Sequence, residues 1–121
     1  MSGQEVEGVL HLLGLARRSG RLVSGDRAVL AACTAGQARL LLLAEDASPN
    51  TRRRFETAAE RAGIPLRYLA DRIRLGEALG QSPRAVVALT DAGFANAVLD
   101  RLSRRRRGRG RTETIQDRGQ E

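Results

Sequence analysis

Hydrophobic residues recur along this chain at two different spacings, which predict helices and strands in strict alternation. Val6, Val9, Leu10 and Leu13 lie on one face of a predicted first helix that ends near Gly20. Short apolar runs predict strands at 21–23, 40–44, 66–69 and 85–89, and helices are predicted before, between and after these strands. Alternation of this kind predicts an α/β domain whose central, mostly parallel sheet has helices on both faces.

Polar residues mark the predicted starts of the helices. The segment Ser24-Gly25-Asp26 is a predicted N-cap of the second helix, Ser48-Pro49 begins the third, Asp71 the fourth and Thr90-Asp91 the last. The third helix has small and aromatic residues at positions predicted to face inward: Phe55, Ala58, Ala59 and Ala62. In the last helix the predicted inward residues are Phe94, Ala97, Val98 and Leu102.

The charge of the chain changes the picture from a plain α/β domain to one with an anionic partner. The 121 residues carry a net charge of +7, and all basic residues are arginines. Arginine binds phosphate through two parallel hydrogen bonds and stacks on bases, so nucleic acid is the expected partner. The alternative is that the charge serves solubility alone.

More than half of the net charge lies in a short C-terminal segment. Residues 103–121 hold seven arginines against three acids, with Arg104, Arg105, Arg106 and Arg107 in one run. Because this segment has no apolar periodicity, we expect a folded domain over 1–102 and a disordered arginine-rich tail over 103–121. The tail is interpreted either as an arm that grips phosphates or as a solvated, dispensable extension.

Cysteine content and hydropathy indicate a cytoplasmic protein with no membrane partner. Cys33 is the single cysteine, so no internal disulfide can form, and we expect it to be a small buried residue. No apolar run approaches the roughly 20 residues that cross a bilayer, and no signal peptide is evident.

Residues with catalytic potential are few. His11 is the single histidine and is interpreted as a packing or surface residue, and no metal site or cofactor is expected. Asp46 and Asp91 each follow a predicted central strand, where two carboxylates could hold a metal or divide acid and base roles. Both also stand immediately before helices, where carboxylates cap free N–H groups, and capping is the favoured interpretation.

The aromatic and basic residues of the body leave two further alternatives open. Of the three aromatic residues, only Tyr68 falls on a predicted strand, where it could stack on a base. Arg52, Arg53 and Arg54 crowd the start of the third helix, where the helix dipole disfavours cations. They are interpreted either as an anion site or, preferably, as a solvated face.

Four blocks of the sequence together resemble a known family. They read LLGLARRSG at 12–20, VSG at 23–25, ARLLLLAEDAS at 38–48 and VVALTDAGFA at 86–95. In order and spacing they resemble the bacterial YlxQ-like members of the kink-turn-binding ribosomal protein family, whose archaeal branch is called L-seven-Ae. The resemblance covers about residues 9–100 and leaves the tail outside it.

The resemblance implies a three-layer α/β/α sandwich with a small mixed four-stranded sheet that binds RNA at one end. In the family, the loop and helix start after the first strand contact tandem G·A pairs of a kinked RNA, and this region corresponds to Ser24-Gly25-Asp26-Arg27, running to Ala31. A loop before the last strand covers a flipped-out nucleotide and corresponds to the segment from Gly80 through Gln81, Ser82 and Pro83 to Arg84.

Physical reasoning about these residues agrees with that assignment. Gly25 permits close approach of the backbone, and a helix N-terminus offers N–H groups to a phosphate. Arg21, Arg27 and Arg84 can add charge-assisted hydrogen bonds, whereas Asp26 either accepts from a guanine edge or caps the helix.

The chain departs from the archaeal pattern at three positions after the glycine. Arg27, Ala28 and Ala31 replace Asn, Glu and Lys of the pattern x-Asn-Glu-x-x-Lys. Ala28 cannot accept a hydrogen bond from guanine, and Ala31 cannot contact a phosphate. Since a good base contact contributes roughly 1–3 kcal/mol of discrimination, these replacements weaken the expected selectivity.

We therefore expect a monomeric, non-catalytic protein that recognises structured, kink-turn-like RNA, associated with the ribosome or translation. The expected RNA-binding residues are Arg21, Ser24, Gly25, Asp26, Arg27, Gln81, Ser82, Arg84, Arg104, Arg105, Arg106 and Arg107. Two alternatives stay open. One is an accessory factor of the ribosome or transcription complex that is held mainly by protein contacts, and the other is a small enzyme that uses Asp46 and Asp91.

Overall fold

The computed structural model describes residues 3–103, and these residues form five helices and four strands in alternation. Helix α1 covers Gly3–Arg18, α2 Asp26–Thr34, α3 Pro49–Ala62, α4 Arg72–Ala78 and α5 residues 92–103. The strands are β1, Leu22–Ser24; β2, Leu40–Leu43; β3, Leu66–Tyr68; and β4, Val86–Leu89. The predicted tail, with Arg104 to Arg107, lies outside the described residues.

The sheet is mixed, as the family resemblance implies, and the mostly parallel sheet expected from alternation is wrong. Its strand order is β1-β4-β2-β3. Strand β4 is antiparallel to both β1 and β2, and only β2 and β3 form a parallel pair. Strands β1, β2 and β3 thus share one direction, and β4 lies reversed between the first two.

The reversal of β4 follows from the connection that precedes it. Helix α4 has only seven residues, and the chain after it returns to the start of the helix, where the Arg84 N–H donates to the Arg72 carbonyl at 3.0 Å. The chain therefore enters β4 at the end of the sheet where β3 has just finished. A parallel β4 would require α4 to carry the chain back along the sheet before the strand begins.

Two apolar layers confirm the three-layer sandwich. On one face α1, α4 and α5 pack on the sheet, with Leu13, Leu75 and Val98 fully buried. On the other face α2 and α3 pack through Val29 and Phe55. Residues of β2 alternate between the layers, and all four are buried because helices cover both faces of the sheet.

Local chemistry sets most of the helix starts. Ser48 caps α3 by accepting from the Thr51 N–H at 3.2 Å, with Pro49 as the first helical residue, and Asp71 caps α4 in the same way. In α3 the predicted inward stripe is confirmed at Phe55 and Ala59, but the interpretation of Ala62 is wrong. Ala62 is exposed because it lies in the last turn, where α3 already extends past the neighbouring core.

Among the described residues, no helix combines the length and the apolar character that crossing a bilayer would require.

Candidate nucleic-acid interface

One end of the sheet gathers the starts of three helices and one loop. Because β1, β2 and β3 share a direction, their carboxyl termini lie together and are followed by α2, α3 and α4. The loop at 79–85 also lies there, since β4 begins at this end. We call it the carboxyl end of the sheet, and both regions that the family resemblance singles out lie on it.

A small hydrogen-bond network joins these two regions. The Ser24 hydroxyl at the end of β1 donates to Gln81 Oε1 at 2.9 Å and accepts from Arg84 Nε at 3.2 Å. The Gly25 N–H donates to the Val86 carbonyl at 3.0 Å, which fixes the backbone beside the network. Residues 57 and 60 positions apart are thus held as one surface, with Ser24 at its centre.

Arg84 organises the 81–84 loop from within. Its Nη1 donates to Ser82 Oγ at 2.8 Å and to the carbonyls of Ser82 and Pro83, each at 3.2 Å. Ser82 and Pro83 are themselves exposed. The guanidinium therefore holds the loop in shape, and the exposed tip is the part that can meet a ligand.

Gly76 lets this loop lie directly against α4. A Cβ at this position would lie 2.7 Å from the carbonyl carbon of Ser82 and 2.9 Å from the carbonyl oxygen of Gln81. Sequence reasoning missed Gly76 as a residue of the site. A glycine inside a short predicted helix, where it lowers helix propensity, is the signal that marks such a close approach.

The start of α2 has no side-chain cap. Gly25 occupies the N-cap position with φ 94° and ψ 156°, a conformation that is essentially limited to glycine, and no side chain accepts from the first N–H groups. Asp26 is the first residue of the helix and accepts instead from Arg54 Nη1 of α3 at 2.9 Å, so the interpretation of Asp26 as an N-cap is wrong. The uncapped N–H groups carry the positive end of the helix dipole into solvent, which suits an anion.

Arginines from four elements surround this helix start. Arg27 is exposed on α2 and forms no hydrogen bond or ion pair with the described residues. On the far side of the loop, Arg72 of α4 pairs with Asp46, which accepts from the Arg72 N–H at 2.9 Å and from Nε at 3.4 Å. Neither Arg54 nor Arg72 stood among the predicted site residues, because only the topology brings α3 and α4 to the carboxyl end of the sheet.

Arg21 does not join the other predicted residues. It precedes β1 and lies at the opposite end of the sheet, where Nη1 contacts Asp91 Oδ1 at 2.6 Å. Asp91 also caps α5 by accepting from the Phe94 N–H at 2.8 Å. The hydrogen bond from Phe94, followed by the Arg21 guanidinium, holds the pKa of Asp91 below its usual value.

The topology also separates the two carboxylates of the enzyme hypothesis. Asp46 follows β2 and Asp91 follows β4, and these strands are antiparallel neighbours. The two carboxylates therefore lie at opposite ends of the sheet and cannot share a metal or a substrate. Among the described residues, no group of three or more His, Cys, Asp or Glu side chains is placed to hold a metal ion.

The remaining chemical candidates occupy ordinary positions. His11 is exposed on α1. Cys33 is half-buried against the layer formed by α2 and α3, and this burial raises the pKa of its thiol. A raised thiol pKa leaves little thiolate at neutral pH, which is the opposite of what a nucleophilic cysteine needs.

Comparison with known proteins relates this chain to a family of RNA-binding proteins. The sequence profile of the Ribosomal protein L7Ae/L30e/S12e/Gadd45 family matches residues 7–99. The RNA-binding protein YlxQ of Bacillus subtilis (strain 168) is 39% identical over 102 residues, which cover 84% of this chain and 99% of the relative. The RNA-binding protein YlxQ of Enterococcus faecium is 30% identical over 71% of this chain and 82% of its own length.

Solved structures share the fold. A protein of unknown function from Bacillus halodurans superposes with a TM-score of 0.75 at 33% identity, covering 78% of this chain and 96% of its own. The 15.5kD RNA binding protein of Giardia lamblia gives a TM-score of 0.72 at 21% identity, over 86% of this chain and 89% of its own. The second likeness is one of fold alone.

These relatives are binding proteins, in agreement with the expectation that this chain is not an enzyme. The match of the family profile to nearly the whole described part of the chain, with the mixed sheet and three layers, leads to one conclusion. The chain is a YlxQ-like member of the Ribosomal protein L7Ae/L30e/S12e/Gadd45 family.

Proposed function

We propose that this chain binds RNA, and that it recognises a kink-turn-like structure through the carboxyl end of the sheet. The observation that carries the proposal is the network in which Ser24 contacts both Gln81 and Arg84. It joins the start of α2 and the 80–84 loop into one surface, which is the arrangement needed to hold both sides of a sharply bent strand. The description of two relatives as RNA-binding proteins supports the same function.

The chemistry of this surface suits phosphate more than base edges. The uncapped N–H groups of α2 and the free guanidinium of Arg27 attract a phosphate. Ala28 and Ala31, which are exposed on the same helix, offer no side-chain hydrogen bond to a base. Recognition of the bent shape therefore contributes more here than reading of the sequence.

A titration tests the proposal directly. A kink-turn RNA and a straight duplex of equal length are titrated with the full chain at two salt concentrations, using fluorescence anisotropy. Tighter binding of the kink-turn RNA at both concentrations is expected. Equal affinity for both RNAs would refute kink-turn recognition, and a steep salt dependence without preference would identify a general RNA binder.

Variants of the network assign the preference to this surface. Arg84→Ala removes the loop contacts and Gln81→Ala removes one bond to Ser24, so both are expected to reduce the preference for the kink-turn RNA. Arg61→Ala is the control for Arg84→Ala, because Arg61 is an exposed arginine in the last turn of α3, at the opposite end of the sheet. A preference that all three variants retain would remove this surface from the proposal.

We further propose that the protein acts in the cytoplasm as a monomer on ribosomal or translation-associated RNA. Cosedimentation with ribosomes that disappears on RNase treatment is the expected result. Cosedimentation that survives RNase, from a protein that binds no isolated RNA, would instead identify an accessory factor held by protein contacts.

A further inference from the structure

A pocket of about 300 Å³ lies beside the proposed interface, between α3 and the end of β3. Its lining residues are Pro49, Arg52, Arg53, Glu56 and Tyr68. The pocket continues the same end of the sheet, since Tyr68 pairs with Leu43, Leu43 pairs with Val86, and Val86 accepts from the Gly25 N–H. These residues form one row across the sheet, with the start of α2 at one edge and the pocket at the other.

The pocket presents two arginines whose charge is not compensated locally. Arg54 is the member of the arginine run that pairs with Asp26, whereas neither Arg52 nor Arg53 forms an ion pair with any described residue. The first turn of α3 contains no acidic residue. Two exposed guanidinium groups near the positive end of a helix repel each other, and a bound phosphate would stabilise both.

Tyr68 gives the pocket an aromatic wall. Its hydroxyl donates to the Glu56 carboxylate, which fixes the ring, and burial together with this bond raises the pKa of Tyr68. The hydroxyl thus remains a donor across the neutral range. The Arg52 guanidinium lies 6.0 Å from the ring centroid, at the outer limit of a cation–π contact, so it is easily displaced from the ring.

We propose that this pocket binds a nucleotide of RNA, with its phosphate on Arg52 and Arg53 and its base stacked on Tyr68. The proposal extends the proposed function, because the same RNA would run from the start of α2 across the sheet to β3. Three strand spacings separate β1 from β3, a distance of about 14 Å, which equals roughly four steps of 3.4 Å along one strand of a duplex. The bound nucleotide therefore belongs to the stem beside the kink, outside the part held by the 80–84 loop.

Tyrosine fluorescence provides the first test. Tyr68 is the single tyrosine of the chain and there is no tryptophan, so the emission of the full chain reports on this pocket alone. We expect a kink-turn RNA with stems of at least six base pairs to quench the emission saturably, with the affinity that anisotropy gives. N-acetyltyrosinamide in the same RNA solutions corrects for absorption by the bases.

A charge-matched pair of variants provides the second test. Arg52→Ala/Arg53→Ala removes two phosphate contacts and is expected to flatten the slope of log affinity against log salt by about 1.4–1.8. Arg17→Ala/Arg18→Ala is the control, since these exposed neighbours lie in the last turn of α1, at the opposite end of the sheet. Tyr68→Leu is expected to weaken binding about fivefold or more, which is the lower range for loss of one base–aromatic stack.

The outcomes separate this inference from the proposed function. Unquenched emission and equal slopes for the two double variants, with the kink-turn preference intact, would overturn the pocket and leave the proposed function standing. Quenching and a flattened slope without any kink-turn preference would keep the pocket as an RNA site and overturn kink-turn recognition.

Discussion

At the residue scale, the position of the 81–84 loop depends on the missing side chain of Gly76. The backbone of Ser82 occupies the space where a Cβ would lie, and Gly76 is buried beneath this contact. Because the atoms in contact are backbone on both sides, no change of rotamer can make room. The loop would have to move, and its bonds to Ser24 and Arg84 would move with it.

We expect Gly76→Ala to destabilise the protein by about 1–3 kcal/mol, the usual cost of overpacking, and to weaken RNA binding as the loop shifts. Gly8→Ala is the control, since its Cβ would meet only the flexible end of Arg101, and removal of a helical glycine stabilises a helix by up to about 1 kcal/mol. Urea unfolding and RNA anisotropy measure the two effects. Two variants of equal stability would contradict the close approach.

Asp91 is expected to make the stability depend on pH. Since its pKa in the folded protein lies below the usual 3.8, its contribution is present above that value and is lost as the pH falls through the folded pKa. Asp91→Ala should therefore lower Tm at pH 7, and the difference from the unmodified chain should shrink as the solution is acidified below the usual pKa.

Asp91→Asn separates the cap from the charge. Asparagine still accepts from the Phe94 N–H, so this variant should lie between the unmodified chain and Asp91→Ala at pH 7. A Tm difference for Asp91→Ala that stays constant from neutral to strongly acidic solution would show that the carboxylate does not act through its charged form.

The residues of the site differ in how far sequence can predict them. Ser48 and Asp91 are predictable caps because they act on N–H groups three residues away. Asp26 stands at an equally suitable position, but it pairs with Arg54, 28 residues distant, and sequence offers no sign of that contact. Ser24 and Arg84 were predicted through the family resemblance, whereas the bond between them is a product of the tertiary fold.

At the scale of elements, α2 presents a face that can be rebuilt. Ala28 and Ala31 are exposed, and both positions accept long side chains without disturbing the core. We expect Ala28→Glu/Ala31→Lys, which restores two residues of the archaeal pattern, to raise the preference for kink-turn RNA over duplex. Each new base contact should add about 1–3 kcal/mol of discrimination.

A matched variant checks that this gain depends on position. Glu and Lys introduced at Ala35 and Gln37, which are exposed just beyond the end of α2, leave the net charge change the same and should not alter the preference. An unchanged preference in the first variant would show that α2 does not meet the bases.

The elements themselves were predicted well, and their arrangement less so. Hydrophobic spacing predicts all five helices and four strands of the described part because burial on a helix or strand face leaves a periodic trace in the sequence. The direction of β4 leaves no such trace. It depends on the backbone bond from Arg84 to Arg72 and on the close approach at Gly76, which arise only when the loop folds back on α4.

At the scale of the whole molecule, the excess of arginine after residue 103 adds to the charge of the folded part. We expect deletion of 104–121 to weaken RNA binding and to flatten its salt dependence by about 0.7–0.9 for each phosphate that the tail would otherwise neutralise. Tm should not change, since the buried core of the described residues ends at Leu102.

A full-length variant separates charge from length. Replacement of Arg104, Arg105, Arg106 and Arg107 by Gln should reproduce most of the decrease in affinity. Binding that is unchanged in both the deletion and this variant would identify the tail as dispensable for RNA binding.

The reversed strand also decides the order in which the chain can fold. Strand β1 hydrogen-bonds to β4 alone, and Leu22 pairs with Leu89, 67 positions later, whereas β2 and β3 pair across a much shorter loop. Long loops must close before such pairs form, so closure of the sheet is a late step in folding. During synthesis, a nascent chain that ends before residue 86 leaves β1 without a neighbour and exposes the apolar side of α1. The surface that joins Ser24 to Arg84 is therefore assembled only when the final quarter of the folded part has left the ribosome.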